Sequence, residues 1–279
     1  MTIDMSTTRT DLALESVQAA RSGAEAGTIS GVRSRERTRE GYAVTDIRGE
    51  EEDGAQALGK PVGRYVTVDL GPYFRREADY FDRGVRCLAG ELAALLPEGP
   101  VLAAGLGNRA MTCDAVGPAS IDNLLVTRHM IRAMPRQFAD FRPVAAVCPG
   151  VLARTGLEAL ELVRGAVERV RPAAVIAVDA LAARDSARLC ATVQLSDTGL
   201  VPGSGVGNRR SALDRGTLGV PVIAVGIPTV VDADPRAGLF LTPRDIDQRI
   251  RELGRLLGYG ITLALQPSLT AADVTALLG

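Results

Sequence analysis

The chain has 279 residues, of which 46 % are hydrophobic, enough to bury the core of one large domain or two small ones. Its formal net charge of −1 argues against nucleic acid or a membrane surface as the main partner. The first residues lack the apolar run of a signal peptide, and no apolar run reaches the roughly 18 residues that cross a bilayer. We therefore expect a cytoplasmic protein.

The first part of the chain, to about residue 60, is polar and charged, and it predicts an irregular lead-in or arm. Apolar and polar residues then alternate over Arg64–Leu70, which predicts the first strand. Helical spacing over Glu77–Leu96 predicts a helix that stops before a Pro-rich turn at 97–100.

Short apolar runs and helical patterns alternate through the rest of the chain. Buried strands are predicted over Val101–Ala104, Val144–Val147, Ala173–Val178, Ala191–Leu195 and Pro221–Val225, and helices over Ser120–Met134, Gly156–Val170 and 243–265. This alternation favours parallel strands joined by right-handed crossovers. We predict a single α/β/α domain of three layers with a mostly parallel central sheet.

Two glycine-rich stretches are candidate binding loops. Gly105 and Gly107 follow a predicted strand, as in dinucleotide-binding loops, but no helix opens directly after them, so the signal is weak. The loop Gly203–Gly207 is suited to the close approach of an anion or a peptide backbone, and a plain turn explains it equally well.

Histidine and cysteine chemistry is poorly represented. His129 is the only histidine, so a metal site of several histidines is excluded, and its apolar surroundings predict a packed structural role. The four cysteines lack metal-ligand spacing and read as buried thiols. Asp197-Thr198-Gly199 matches the triplet of pepsin-like proteases, but that chemistry needs two triplets, so we interpret it as a turn.

Two aspartates stand near the ends of predicted strands, where chemistry collects in α/β sheets. Asp179 follows the run Ala173–Val178, and Asp114 follows the loop after Val101–Ala104. Two neighbouring carboxylates can divide acid and base roles, because repulsion raises the pKa of one of them. The residues alone leave open a helix cap and a turn as their roles.

Several longer segments of the chain match the motifs of one protein family. They are Arg9–Ala13, GLGN at 105–108, Asp114-Ala115-x-Gly117-Pro118, NLLVTRH at 123–129, FRPVAA at 141–146, PGV at 149–151, VIAVDALAAR at 175–184, SDTGLVPGSGVGN at 196–208, LGVPVIAVGIPTVVDA at 218–233 and LTPRDID at 241–247. Through these segments the chain resembles the germination protease family of spore-forming bacteria. These segments cover most of the chain.

The resemblance implies an atypical aspartic endopeptidase that degrades small acid-soluble spore proteins in the spore core. It implies an α/β fold similar to hydrogenase-maturation endopeptidases, with Asp114 and Asp179 as catalytic residues. It further implies a zymogen that forms a homotetramer, without metal or organic cofactor. The chain departs from the family at one point. The family has a segment of several tens of residues where this chain has only the short stretch Asp232–Leu241.

The stretch Arg9–Ala13 resembles the family's propeptide junction and its substrate sites, where an acidic residue precedes a large apolar one. We expect self-cleavage between Asp11 and Leu12, which divides the chain into a propeptide, 1–11, and a catalytic domain, 12–279. The acidic side chain is expected to need a basic pocket and the leucine an apolar one. Two alternatives stay open: a nucleotide-binding α/β enzyme, and a non-catalytic relative that binds peptides.

Overall fold

A computed structural model describes residues 10–23, 29–208, 210–234 and 238–279. The helices are α1 (Ala13–Gly23), α2 (Glu52–Leu58), α3 (Gly71–Phe74), α4 (Tyr80–Ala93), α5 (Val116–Asp122), α6 (Arg128–Ala133), α7 (Leu152–Thr155), α8 (Ala159–Val170), α9 (Arg215–Leu218), α10 (Ile246–Leu265) and α11 (Ala271–Leu278). The strands are β1 (Val32–Arg39), β2 (Tyr42–Gly49), β3 (Gly63–Asp69), β4 (Val101–Leu106), β5 (Val144–Gly150), β6 (Ala174–Ala183), β7 (Thr192–Ser196), β8 (Val222–Asp234) and β9 (Leu239–Leu241).

The strands form one sheet in the order β1-β2-β3-β7-β8-β6-β4-β5, with β9 paired to β8. Strands β5, β4, β6 and β8 pair in parallel. Strands β1, β2, β3 and β7 extend the sheet by antiparallel pairing. The predicted α/β class is confirmed, and parallel pairing is confined to one side of the sheet.

Alternate residues of the central strands pack on opposite faces of the sheet, as the period of a strand requires. One face, with Val101, Ala103, Ile176 and Val178, packs against α4 and α10. The other face, with Leu102, Ala104, Val175 and Ala177, packs against α8. The two apolar clusters make the domain three layers deep.

The N-terminal region is not the irregular lead-in that its polarity predicts. It contains α1, the β1–β2 hairpin and α2. The arginines of β1 find acidic partners from other elements, since Arg37 and Arg39 both bond to the buried Glu91 of α4. These partners are distant in sequence, so local composition gave no indication of the strand.

The single helix predicted over Ser120–Met134 is wrong, because α5 and α6 are separate. Between them Leu124 and Leu125 turn into the core, and the Thr127 hydroxyl accepts a hydrogen bond from Val144 N at 2.9 Å. His129 lies exposed on α6, so the packed role predicted for it is also wrong. Among the described residues, no helix is both long and apolar enough to cross a bilayer.

Candidate active site

A cavity of about 1100 Å³ opens on the face of the sheet that carries α8. Its lining comes from the carboxyl ends of β4 and β6, from β7 and β8, from the glycine-rich loop 202–208, and from the start of the described chain. Asp114, Asp179 and Asp11 all line this cavity. The structure therefore brings the two candidate catalytic aspartates and the predicted cleavage site into one pocket.

Asp179 lies within β6 and is 6 % exposed. The strand does not end there, as the sequence predicted, because it continues beside β8 as far as Ala183. The Asp179 carboxylate accepts a hydrogen bond from Ala180 N at 2.9 Å. Burial, and then the negative charge of Asp114, raise the pKa of Asp179 well above its usual range.

Asp114 ends a 3₁₀ turn, Thr112–Asp114, that follows β4. Its carboxylate accepts a hydrogen bond from Asn108 N at 2.9 Å. Gly107 has a φ of +107°, and a Cβ there would lie 2.0 Å from the Asp114 carbonyl oxygen, so the loop closes on Asp114 only with glycine. The glycine-rich loop considered for dinucleotide binding is thus packed against Asp114.

The environments of the two carboxyl groups differ. Burial raises the pKa of Asp114, and the hydrogen bond from Asn108 partly offsets this. The upward shift of the Asp179 pKa is the stronger one, because Asp179 is more deeply buried and faces the charge of Asp114. Such a pair suits one protonated and one ionised carboxyl group, which is the arrangement that activates water.

The segment around Asp11 runs beside β6 in the same pocket. Asp11 N donates to Ala182 O at 2.9 Å, and the Asp11 carboxylate accepts from Ala182 N at 2.9 Å. The Ser204 hydroxyl donates to the same carboxylate at 2.9 Å. Within the described ranges the hydrogen-bond donors to this carboxylate are neutral, whereas the sequence predicted a basic pocket. The Lys60 ammonium group is close enough to interact electrostatically with Asp11. Burial lowers the pKa of Lys60, and the negative charge of Asp11 partly offsets that shift.

Leu12 occupies the apolar pocket expected for it and is 1 % exposed. The pocket is formed by Ala183 and Val231, with Leu181 and Leu189 packed against them. The acidic and the apolar side chain on either side of the Asp11–Leu12 bond thus have separate binding pockets. Residues 1–9, including Arg9, lie outside the described part of the chain.

Gln194 and Ser204 contact this segment, and the sequence did not single out either residue. Gln194 lies in the predicted strand Ala191–Leu195. A polar side chain within a strand that is expected to be buried was the available signal. Ser204 lies in the loop Gly203–Gly207, for which peptide binding was one of two interpretations. Asp197, by contrast, is exposed and accepts a hydrogen bond from Arg64 N at 2.8 Å, in keeping with a turn.

Within the described ranges, no group of three or more His, Cys, Asp or Glu side chains is placed to hold a metal ion. Cys87 and Cys190 are buried thiols, and Cys113 and Cys148 are partly buried.

Comparison with known proteins places the chain among peptidases. The model of the germination protease family matches residues 9–237. A germination protease of Caldanaerobacter subterraneus is 40 % identical over 320 aligned positions, which cover 97 % of this chain and 98 % of the relative. One from Bacillus cereus is 41 % identical over 260 positions, which cover 90 % of this chain and 69 % of the relative. One from Clostridium perfringens is 36 % identical, with 97 % and 98 % covered.

The fold and these matches define an α/β peptidase. More specifically, the chain belongs to the germination protease family. The alignment with the Caldanaerobacter relative, at 320 positions, is longer than this chain of 279 residues, so the relative has residues without a counterpart here. Among solved structures, a NiFe hydrogenase maturation protease from Thermococcus kodakarensis matches 63 % of this chain and 99 % of its own at 17 % identity, with a TM-score of 0.39.

Proposed function

We propose that this germination protease is an aspartic-type endopeptidase that starts the breakdown of small acid-soluble spore proteins in the spore core. It is made as a zymogen, cuts its own chain between Asp11 and Leu12, and works as a homotetramer. Asp114 and Asp179 activate the water that attacks the peptide bond. No metal or organic cofactor takes part.

One observation carries this proposal: Asp11, the residue before the bond to be cut, lines the same pocket as Asp114 and Asp179. The Asp11 side chain accepts a hydrogen bond from Ser204, and the Leu12 side chain packs in an apolar subsite with Val231. A chain in this position resembles a substrate. Because it fills the groove, it also restrains the enzyme until it is cut.

The carboxyl pair supplies both proton transfers of hydrolysis. Ionised Asp114 takes a proton from water as the water oxygen bonds to the Asp11 carbonyl carbon. Asp179, whose pKa is raised by burial and by Asp114, gives a proton to the Leu12 nitrogen as the C–N bond breaks. The products are a carboxyl group on Asp11 and an amino group on Leu12.

A peptide assay tests the proposed activity. A peptide with the sequence of residues 6–17 is incubated with the protein, and the products are identified by mass spectrometry. We expect one cut after the aspartate, and the same rate with and without a strong chelator. A peptide that binds stably and stays whole would favour a non-catalytic binding protein. Native mass spectrometry tests the assembly, which should contain four chains of 29.3 kDa.

A further inference from the structure

Gln194 on β7 holds the main chain on both sides of the Asp11–Leu12 bond. Its Nε2 donates to the Asp11 carbonyl oxygen at 2.8 Å, and its Oε1 accepts from Ala13 N at 2.7 Å. The side chain is 8 % exposed. Because one neighbour needs a donor and the other an acceptor, these contacts fix which end of the amide faces the carbonyl.

The sheet register places Gln194 and Asp179 on the same face of the sheet. Both residues are paired with Gly226 of β8, from β7 and β6 respectively. Residues paired in this way share a face, and two strand spacings put their Cα atoms about 10 Å apart. The Leu181 side chain lies over Gly226, since a Cβ at Gly226 would be 2.5 Å from the Leu181 Cγ. Asp179, Leu181 and Gln194 all line the same pocket.

The contacts of Gln194 are made only with peptide groups. Any extended chain that follows the path of residues 11–13 can form them, whatever its sequence. The contact of Ser204 is different, because it reaches the Asp11 side chain. Gln194 is therefore suited to act on the bond that is cut, and Ser204 to recognise the residue before it.

We propose that Gln194 is a catalytic residue, an inference that rests on the proposed function. Its Nε2 donates a hydrogen bond to the carbonyl oxygen of the bond that is cut. When water adds to the carbonyl carbon and loses a proton to the carboxylate, the electron pair of the C=O bond moves onto this oxygen, and Nε2 stabilises the charge. The C=O bond reforms as the C–N bond breaks and the leaving nitrogen takes a proton from the carboxyl group.

The variant Gln194→Glu tests this role. It keeps the size of the side chain and an acceptor for Ala13, but replaces the donor by a carboxylate oxygen. Loss of one such donor lowers kcat about 100-fold or more, so we expect this loss at neutral pH with little change in KM. At acid pH the new carboxyl group is protonated and donates again. The rate of the variant relative to the parent should therefore rise as the pH falls.

The assays are self-cleavage of the full chain, followed by intact mass, and cleavage of the 6–17 peptide. Gln56→Glu, the same change at an exposed position of α2, is the matched control and should match the parent. Gln194→Met, which has no donor at any pH, should be slow without recovery in acid. Thermal unfolding of each variant shows that it is folded.

Two results separate the inference from the proposed function. If the parent cuts and folded Gln194→Glu cuts at a similar rate, Gln194 is not catalytic and the proposed function stands. The same holds if both Gln194 variants are slow with the same pH dependence as the parent. If the parent cuts neither itself nor the peptide, the proposed function fails, and the inference fails with it.

Discussion

At Asp179, the protein keeps an acidic group where burial and a neighbouring charge both oppose ionisation. The pKa of Asp179 is raised by burial and then by Asp114. Its folded pKa therefore lies above the unfolded value of about 4. A carboxyl group shifted in this direction contributes its full stability below the unfolded pKa, and that contribution is lost as the pH rises through the folded pKa.

Asp179→Asn should therefore make the fold more stable than the parent at neutral pH, because an amide carries no charge for burial and Asp114 to oppose. The gain should shrink as the pH falls below about 4, where the parent carboxyl group becomes protonated in both the folded and the unfolded state. Urea unfolding between pH 3 and pH 8, on protein of verified full mass, measures this difference. Asp197→Asn is the control, because Asp197 is exposed and its replacement should not stabilise the fold. A parent as stable as Asp179→Asn at every pH would show that the pKa of Asp179 is not raised.

The sequence alone did not determine the roles of individual residues in the site. Asp114 and Asp179 were chosen by resemblance, because the residues alone favoured a helix cap and a turn. Their position in one pocket depends on the adjacency of β4 and β6 and on the close approach of Gly107 to Asp114. Gln194 was missed because its role requires the pairing of β7 with β8 and the position of Asp11.

At the scale of elements, the beginning of α1 is fixed to the loop after β6 by a buried carboxylate. Glu15 is 4 % exposed, and it accepts hydrogen bonds from Arg184 N at 2.7 Å and from Asp185 N at 2.9 Å. The Thr10 hydroxyl also donates to it. These bonds place the segment that enters the pocket, which explains why a polar N-terminal sequence is ordered here.

Glu15→Gln should lower the free energy of unfolding by about 2 kcal/mol, because hydrogen bonds to a charged group are lost and an amide donor faces backbone N–H groups. Urea unfolding measures this change. Glu36→Gln, on the exposed strand β1, is the matched control and should shift stability by less than about 0.5 kcal/mol. Equal stability of the Glu15 and Glu36 variants would mean that Glu15 does not anchor α1.

The glycine-rich loop fits closely around the Asp11 carboxylate. A Cβ at Gly205 would lie 2.1 Å from the Asp11 carboxylate oxygen and 2.6 Å from the Ala182 Cβ. This fit is the reason for glycine at this position, and the sequence offered only a choice between a binding loop and a turn.

Gly205→Ala should displace Asp11 and slow self-cleavage at least about tenfold, since small misplacements of the reacting bond are costly. Intact mass over time gives the rate. Gly165→Ala is the control, because a Cβ there meets nothing within 4 Å, and it should leave the rate unchanged. Equal rates for the two variants would show that the loop does not hold the segment to be cut.

At the scale of the whole molecule, the α/β class followed from the alternation of apolar runs and helical patterns. The same pattern did not predict the antiparallel side of the sheet. Strand β1 is largely charged and depends on ion pairs with distant residues such as Glu91. Strand β9 pairs with the end of β8, and its Leu239 and Leu241 are 54 % and 53 % exposed.

If the aspartate pair cuts the chain that lies in its own pocket, cleavage must depend on both carboxyl groups. The intact mass of purified full-length protein during incubation measures this for the parent and for Asp114→Asn and Asp179→Asn. We expect the parent to lose residues 1–11 and begin at Leu12, while both folded variants keep their full mass. Trimming of the variants at Asp11 as fast as the parent, or a parent that begins at another residue, would contradict it.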